Sequence, residues 1–343
     1  MGDRRLPAGK LPAELLDRFL RRLSSDPSVV LGPGIGRDAA VVRLGDALLA
    51  LKSDPITFAT DAIGWYALNV NANDVACLGA RPRWFLATVL LPESATAELA
   101  EQVLDDLARA AHELGVVLVG GHTEITIGLD RPIVSGTMVG VFDREHVLRP
   151  ESARPGDAVL LVRGIAIEGT ALLARECRRT LEAHLGPEFV ARCHRFLTDP
   201  GISVVPAARL LYEELGPALR CLHDPTEGGL ATGLHELATA CRTGIVVRRD
   251  AIFVYPETDA ICRVLGLDPL GLIASGALLA VVDAVAAPKA LTLLTNAGVL
   301  ATELGRLDPA PARRVLVTDD GERPLPVFAV DEVARLFAHG GCA

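Results

Sequence analysis

The sequence predicts an α+β protein of two domains, and three observations carry that prediction. At 343 residues, with 50% hydrophobic and 22% charged side chains, the chain is long enough for two ordinary cores. Each half mixes about four strand-like segments with a few helix-like ones, and no strict strand–helix–strand alternation recurs, which argues against a doubly wound sheet. Between the halves, the run Arg149–Asp157 holds two prolines and a glycine, a linker composition that divides the chain into domains 1–152 and 153–343. Aromatic residues are only 4%, so Ala, Leu, Val and Gly must fill both cores.

In the first half, Leu15, Phe19 and Leu23 recur at helical spacing and predict an amphipathic helix over 11–23. A glycine loop, Gly32-Pro33-Gly34-Ile35-Gly36, leads into two short apolar segments, Ala39–Leu44 and Ala47–Leu51. Gly45-Asp46 between them is the turn signal of a hairpin. A helix follows from about Gly64 to Leu78, closed by Gly79. Arg83–Leu91 reads as a strand stopped by Pro92. Residues 94–114 read as an amphipathic helix, capped by Ser94 or Thr96, with Leu99, Val103, Leu107 and Ala111 on its inner stripe. Gly115–Glu124 is expected to be a short buried strand running into a glycine turn, and Pro132–Phe142 a further strand.

The second half begins with a strand at Ala158–Val162 and a loop, Arg163–Thr170, that opens a helix through Glu176. Helices are expected over 187–198 and 203–214, and another runs to Cys241 after the loop Leu222–Leu230. Strands at Gly244–Arg248, Leu272–Val282 and Ala301–Leu307 alternate with helices at Glu257–Leu265 and Lys289–Ala297.

Bulk properties exclude several functions. The net charge is −9 and no basic tract is present, which argues against a nucleic-acid partner. An acidic protein that handles an anionic substrate needs a metal or a local set of donors. Cys77, Cys177, Cys193, Cys221, Cys241, Cys262 and Cys342 show no C-x-x-C spacing and no paired framework, which suits buried thiols in a reducing cytoplasm. No apolar stretch follows a basic start, and no apolar run reaches about 18 residues, so neither a signal peptide nor a membrane span is expected.

The chemistry should gather around acids delivered by apolar segments. Asp38 follows the glycine loop and Asp54 follows the second hairpin strand; each needs a cation, an arginine or several donors if its segment is buried. Asn69 and Asn73 share a helix face, with Asp74 beside them; their side chains compete for the backbone in a helix interior, so the cluster suggests a polar face aimed at a ligand or, alternatively, a solvated one. The loop Gly32-x-Gly34-x-Gly36 lacks the Walker lysine and runs into a hairpin, so it is neither a P-loop nor a dinucleotide fingerprint. Its N–H groups could still meet phosphates. With Asp38, Asp54 and Asp74, the economical reading is Mg²⁺ shared between carboxylates and substrate phosphates. Gly120-Gly121-His122-Thr123-Glu124 offers His122 as base, ligand or phosphate donor, or as a plain buried histidine, and Glu124 as a weaker ligand. No second histidine suggests zinc. Asp224-Pro225-Thr226-Glu227-Gly228-Gly229 precedes a helix that Thr226 could cap and whose first N–H groups could hold an anion.

Taken together, Gly36-Arg-Asp-Ala-Ala40, Lys52-Ser-Asp-Pro55, Asn73–Pro82, Gly120–Glu124, Gly164–Thr170, Asp224–Ala231 and Ala274-Ser-Gly276 occur in that order over nearly the whole chain. The set resembles the aminoimidazole ribonucleotide (AIR) synthase superfamily, and most of all its HypE-like, AIR synthase-related members. The resemblance implies a two-domain PurM-like fold whose N-terminal sheet pairs in a dimer barrel. It also implies ATP with Mg²⁺, and activation or phosphorylation of a carbonyl or amide oxygen of a small molecule. Asp38, Asp54 and Asp74 would then be the metal and phosphate acids, with Asp224 approaching from the second domain. Asp74, His122 and Asp224 would be the catalytic candidates. Gly34, Gly36, Asp38, Asn73, Gly120, Gly121, Thr123, Thr226 and Gly228 would line the nucleotide. A HypE-like maturation factor with a partner protein, and a non-catalytic nucleotide-binding regulator, are the alternatives. Arg37 stands where the family has an acid, and His122 stands where several members have one. Cys342 is penultimate and lacks the Pro-Arg of the HypE tail, so it is expected to be a bystander.

Overall fold

The computed structural model describes residues 6, 11–23, 26–34, 37–57, 59 and 61–342. They form two compact units, one spanning 38–147 with the strand before the glycine loop, the other spanning 148–342. The division falls between Val147 and Leu148, at the head of the proline-containing run, and the N-terminal helix groups with the second unit. That helix, α1 (Ala13–Leu20), leaves Phe19 56% exposed, and Leu23 beyond it is 47% exposed, so the expected inner stripe is half solvent-facing.

The first unit is a six-stranded sheet carrying two helices. β1 (Val29–Leu31) precedes the hairpin of β2 (Ala40–Leu44) and β3 (Ala47–Ile56), in which Leu44 stands opposite Ala47 and Gly45 takes φ 59°. β3 runs on to Ile56, so Asp54 lies inside a strand and not at its end. α2 (Ile63–Cys77) is buried almost throughout, and Asn69, Asn71 and Asn73 are 0% exposed. A helix buried on every side shows no amphipathic pattern, so its asparagines are interior groups. β4 (Arg81–Pro92) and α3 (Ala97–Leu114) follow; the Leu99 N–H donates to the Thr96 hydroxyl at 3.3 Å, and Val103, Leu107 and Ala111 are buried. β5 (Val117–Thr126) and β6 (Ile133–Val141) complete the sheet in the order β1-β2-β3-β6-β4-β5. Only β4 and β5 run parallel, with α3 as the crossover that such a pair needs.

β5 departs from the expectation of a short buried strand. It is a ten-residue edge strand, exposed along nearly all its length, and Gly120-Gly121 lies in mid-strand instead of a turn. Gly121 has φ 151°, and a Cβ there would lie 1.9 Å from the Ala87 carbonyl oxygen, so the approach of β5 to β4 requires glycine. Two further glycines seat α2. A Cβ on Gly140 would meet Val75 at 2.2 Å, and one on Gly136 would meet the Phe85 ring at 2.2 Å and Asn71 Nδ2 at 2.8 Å.

The second unit holds a seven-stranded sheet. β7 (Ala158–Val162) leads to α4 (Ile167–Glu176), α5 (Arg178–Leu185), α6 (Pro187–His194) and α7 (Val205–Leu215). Then come β8 (Leu219–His223), α8 (Gly229–Cys241), β9 (Gly244–Arg248), α9 (Pro256–Leu265) and β10 (Leu278–Val282). α10 (Ala287–Asn296), β11 (Ala301–Asp308), β12 (Arg314–Thr318), β13 (Gly321–Pro324) and α11 (Glu332–Ala338) close the chain. The strand order is β13-β12-β9-β11-β7-β10-β8, with β9 and β12 parallel and the other neighbours antiparallel. α5, β8, β12, β13 and α11 escaped the sequence reading, and β10 is shorter than the expected Leu272–Val282. The central β7 and β10 are buried at every position, which is why they read as plain apolar runs. Cys342 is not a bystander: it forms a disulfide with Cys177, at a Cα separation of 4.9 Å across 165 residues of sequence. The other five cysteines are buried thiols.

Candidate functional site

The sheet face beneath α2 carries Lys52 and Asp54, to which α2 adds Asp74. Lys52 and Asp54 are two apart on β3 and so point to one side, level with Met138 and Gly136 of β6. Because Gly136 and Gly140 let α2 settle onto that side, Asp74 reaches the strand from above. Its Oδ2 lies 2.9 Å from Lys52 Nζ, while an Asp54 oxygen lies 3.4 Å from the same nitrogen. The Asn71 amide donates to the Asp54 carbonyl at 3.2 Å and to the Ala67 carbonyl at 2.9 Å, tying helix to strand. The oxygens Asn69 Oδ1 and Asn71 Oδ1 are buried without hydrogen-bond partners among the described residues, an uncommon situation in a native interior.

Burial opposes the Lys52 charge, but Asp74 and Asp54, then Asp38, outweigh it and hold the ammonium above its ordinary pKa. Burial drives Asp74 above the usual carboxylate range; Lys52 pulls the other way, and repulsion from Asp38 and Asp54 adds to the rise. Asp38, Asp54 and Asp74 thus share one electrostatic neighbourhood. Among the described residues, these three carboxylates as a set do not close to within 4.8 Å of one another. The cation that stands among them is Lys52, which the sequence reading passed over. Its two-residue spacing from Asp54, directly after the strand expected at Ala47–Leu51, is the signal the sequence carries.

The remaining predicted residues of this unit sit elsewhere. Asn73 is wholly buried in α2. Gly120, Gly121, His122, Thr123 and Glu124 lie on β5, three strand positions from β3, or roughly 14 Å at ordinary sheet spacing. His122 Nε2 is 3.1 Å from Glu124 Oε2, and the Thr126 hydroxyl donates to Glu124 at 2.7 Å. Those bonds hold the exposed Glu124 below its usual pKa, Thr126 more than His122. So His122 is a solvent-facing edge residue, not a buried one, and within one chain the sheet does not bring it to Lys52. Gly36 lies outside the described residues. Gly34 groups with the second unit, where Arg37, standing in place of the family's acid, pairs with Glu151.

In the second unit, β8 delivers His223 and Asp224, which are 5% and 2% exposed. His223 Nε2 is 3.2 Å from Glu236 Oε2. The glycines that follow are required by close packing: a Cβ on Gly229 would lie 2.4 Å from the Leu270 carbonyl, and Gly228 has φ 79°. Thr226 does not cap α8 through its side chain. Its carbonyl accepts the N–H groups of Gly229 at 3.0 Å and Ala274 at 3.2 Å. The anion expected at this helix start is also internal, since the Gly228 N–H donates to Asp331 Oδ2 at 2.7 Å. The other Asp331 oxygen accepts the Val333 N–H at 2.8 Å and so caps α11. Burial lifts Asp331 to about 6 despite these two bonds.

The fold and these acids define a two-domain protein of AIR synthase type. Residues 36–142 match the family described as AIR synthase related protein, N-terminal domain, and residues 154–317 match its C-terminal domain. The chain belongs to the AIR synthase-related family, and its relatives place it on the HypE-like side. It is similar to the carbamoyl dehydratase HypE of Azotobacter vinelandii, at 32% identity over 82% of this chain and 79% of that protein. It is also similar to the hydrogenase expression/formation protein HupE of Azotobacter chroococcum, at 31% identity over 83% and 80%. Among solved structures, the hydrogenase maturation protein HypE in complex with ATP superposes with a TM-score of 0.71 at 27% identity, covering 95% of this chain and 97% of that one.

Proposed function

We propose that this protein is an ATP-dependent enzyme that activates a carbonyl or amide oxygen of a small molecule by phosphorylating it. The observation that carries the reading is the Lys52, Asp54 and Asp74 cluster, with Asp38 in its field, in a chain related to carbamoyl dehydratases and to an ATP-bound HypE. Transfer of the γ-phosphoryl group to the oxygen releases ADP and turns that oxygen into a phosphate leaving group. Its departure either dehydrates a carboxamide to a nitrile, with both N–H protons passing to bases, or opens the carbon to a nitrogen nucleophile. Mg²⁺, when bound, supplies charge neutralisation at the phosphates. By donor chemistry Asp38, Asp54 and Asp74 suit it, Lys52 permitting. Asp74, whose proton affinity burial raises, is the candidate base in the first unit, and Asp224 is the buried acid retained in the second. Gly228 leaves the nucleotide set because its N–H is already taken by Asp331.

The exposed β5 edge supports a homodimer formed through the first unit. A second reading, maturation of a protein-borne carboxamide, is favoured by the hydrogenase relatives and differs in requiring a partner protein for turnover. The test is thermal stabilisation by millimolar MgATP, since a ligand that binds the native state raises its melting temperature by mass action. A rise of several degrees is expected for the wild type, with little or none for Asp54→Ala and Asp74→Ala. Absence of any shift in the folded wild type would rule out the enzymatic account. A shift without ATP turnover, with every acceptor and partner tried, would favour a non-catalytic regulator.

A further inference from the structure

The Lys52 side chain is only 19% exposed, and its Nζ stands 2.9 Å from Asp74 and 3.4 Å from Asp54, with Asp38 acting on the same charge. It is held there by the pairing of β3 with β6, in which Lys52 stands opposite Met138, and by the helix above. The choice of residue is informative. Lys10, Lys52 and Lys289 are the only lysines among 34 basic residues; every other one is arginine. A chain that uses arginine almost everywhere keeps a lysine between Asp54 and Asp74, within the field of Asp38. The two side chains differ in shape: an ammonium is a compact point charge, while a guanidinium is a broad planar fork suited to paired surface contacts. A compact cation held between two carboxylates, Asp54 and Asp74, is the part that a metal ion plays. Three carboxylates and one ammonium still leave two negative charges, so the cluster is only partly neutralised.

We infer that Lys52 is a built-in cation that takes the place of a divalent metal at the Asp38, Asp54 and Asp74 cluster, so that this lysine sets how many metal ions the site accepts. The inference deepens the nucleotide-site reading and rests on it for its biological meaning, but its physical content concerns the metal alone. A divalent ion and the ammonium compete for the same oxygens. With Lys52 in place, ions enter only to the extent that a phosphate chain brings them.

The test is Mn²⁺ binding to the full chain without nucleotide, followed by electron paramagnetic resonance of the free ion. The wild type should show no tight site that depends on Asp74. Lys52→Gln should gain one Mn²⁺ per chain, bound at least about tenfold more tightly than any ion on the wild type, as removal of a neighbouring positive charge demands. Adding Asp74→Asn to Lys52→Gln should abolish the gain. Equal stoichiometry and affinity in wild type and Lys52→Gln would overturn the inference, and would leave Lys52 as an ordinary structural ion pair. Should Lys52→Gln fail to fold, as judged by circular dichroism, the wild type and Asp74→Asn decide. Mn²⁺ binding that needs Asp74 while Lys52 is present refutes the idea; binding indifferent to Asp74 supports it. Repeating the titration with a non-hydrolysable ATP analogue separates the two readings, because failure to bind nucleotide would sink the proposed function and leave the metal result standing.

Discussion

Asp331 joins two parts of the second unit through one carboxylate, holding the Gly228 N–H with one oxygen and capping α11 with the other. Its pKa is raised from 3.8 to about 6, chiefly by burial. A carboxyl raised on folding contributes stability that is complete below its unfolded pKa and is lost as pH climbs through the folded value. The window here runs from about 4 to above 6, and the amount is on the order of 2–3 kcal/mol. Melting curves of wild type and Asp331→Asn should therefore diverge most at acid pH, with the wild-type advantage shrinking from about pH 4 and lost above about 6. A difference that stays flat across pH would refute this. The glycines of β5 give a second residue-scale prediction. Gly120 and Gly121 have nearly the same φ, 150° and 151°, but only Gly121 has neighbours in the way, with the Ala87 carbonyl 1.9 Å from a built Cβ. Gly121→Ala should cost about 3 kcal/mol or more in denaturant unfolding, and clearly more than Gly120→Ala. Neither Asp331's partner nor Gly121's crowding could be read from the sequence, because both depend on a segment distant in the chain.

Among elements, β5 is the one whose surroundings matter most for assembly. Val117, Val119 and Ile125 are 54%, 52% and 58% exposed along a strand whose outer edge has no neighbour in its own sheet. A long apolar edge invites pairing with another chain. The wild type should run as a dimer in light scattering, and the Val119→Lys, Ile125→Lys double variant as a monomer that keeps its helix and strand content. A monomeric wild type would refute pairing through this edge. The sequence foresaw a strand here but not its exposure, because an apolar run reads alike whether a sheet or a partner covers it. The turn of the β2–β3 hairpin was legible, since Gly45-Asp46 fixes it locally, but the extension of β3 past Leu51 to Ile56 was not. α2 was legible in its bounds but not in its role: its asparagines suggested a polar face, and the fold buries them all.

For the whole molecule, the Cys177–Cys342 disulfide ties the chain end to the junction of α4 and α5, with the Thr180 hydroxyl donating to the Cys342 carbonyl at 2.8 Å. Denatured protein prepared without reductant should show five titratable thiols, and reduced protein all seven; Cys342→Ser should show six in both conditions. Seven thiols before reduction would mean that the pair stays open in solution. Cysteine spacing gave no hint of this bridge, because partners 165 residues apart are neighbours only after folding.

By itself the sequence determined the α+β class, the two-domain division, most helices and strands of both units, and the family to which its ordered motifs belong. Those features are written locally, in glycine turns, apolar periodicity and short contiguous motifs. Tertiary structure decided that Lys52 sits among the acids, that Asp331 occupies the start of α8, and that β5 lies at an open edge. Each of these rests on charge compensation or packing between residues far apart along the chain, and such contacts leave no periodicity to read.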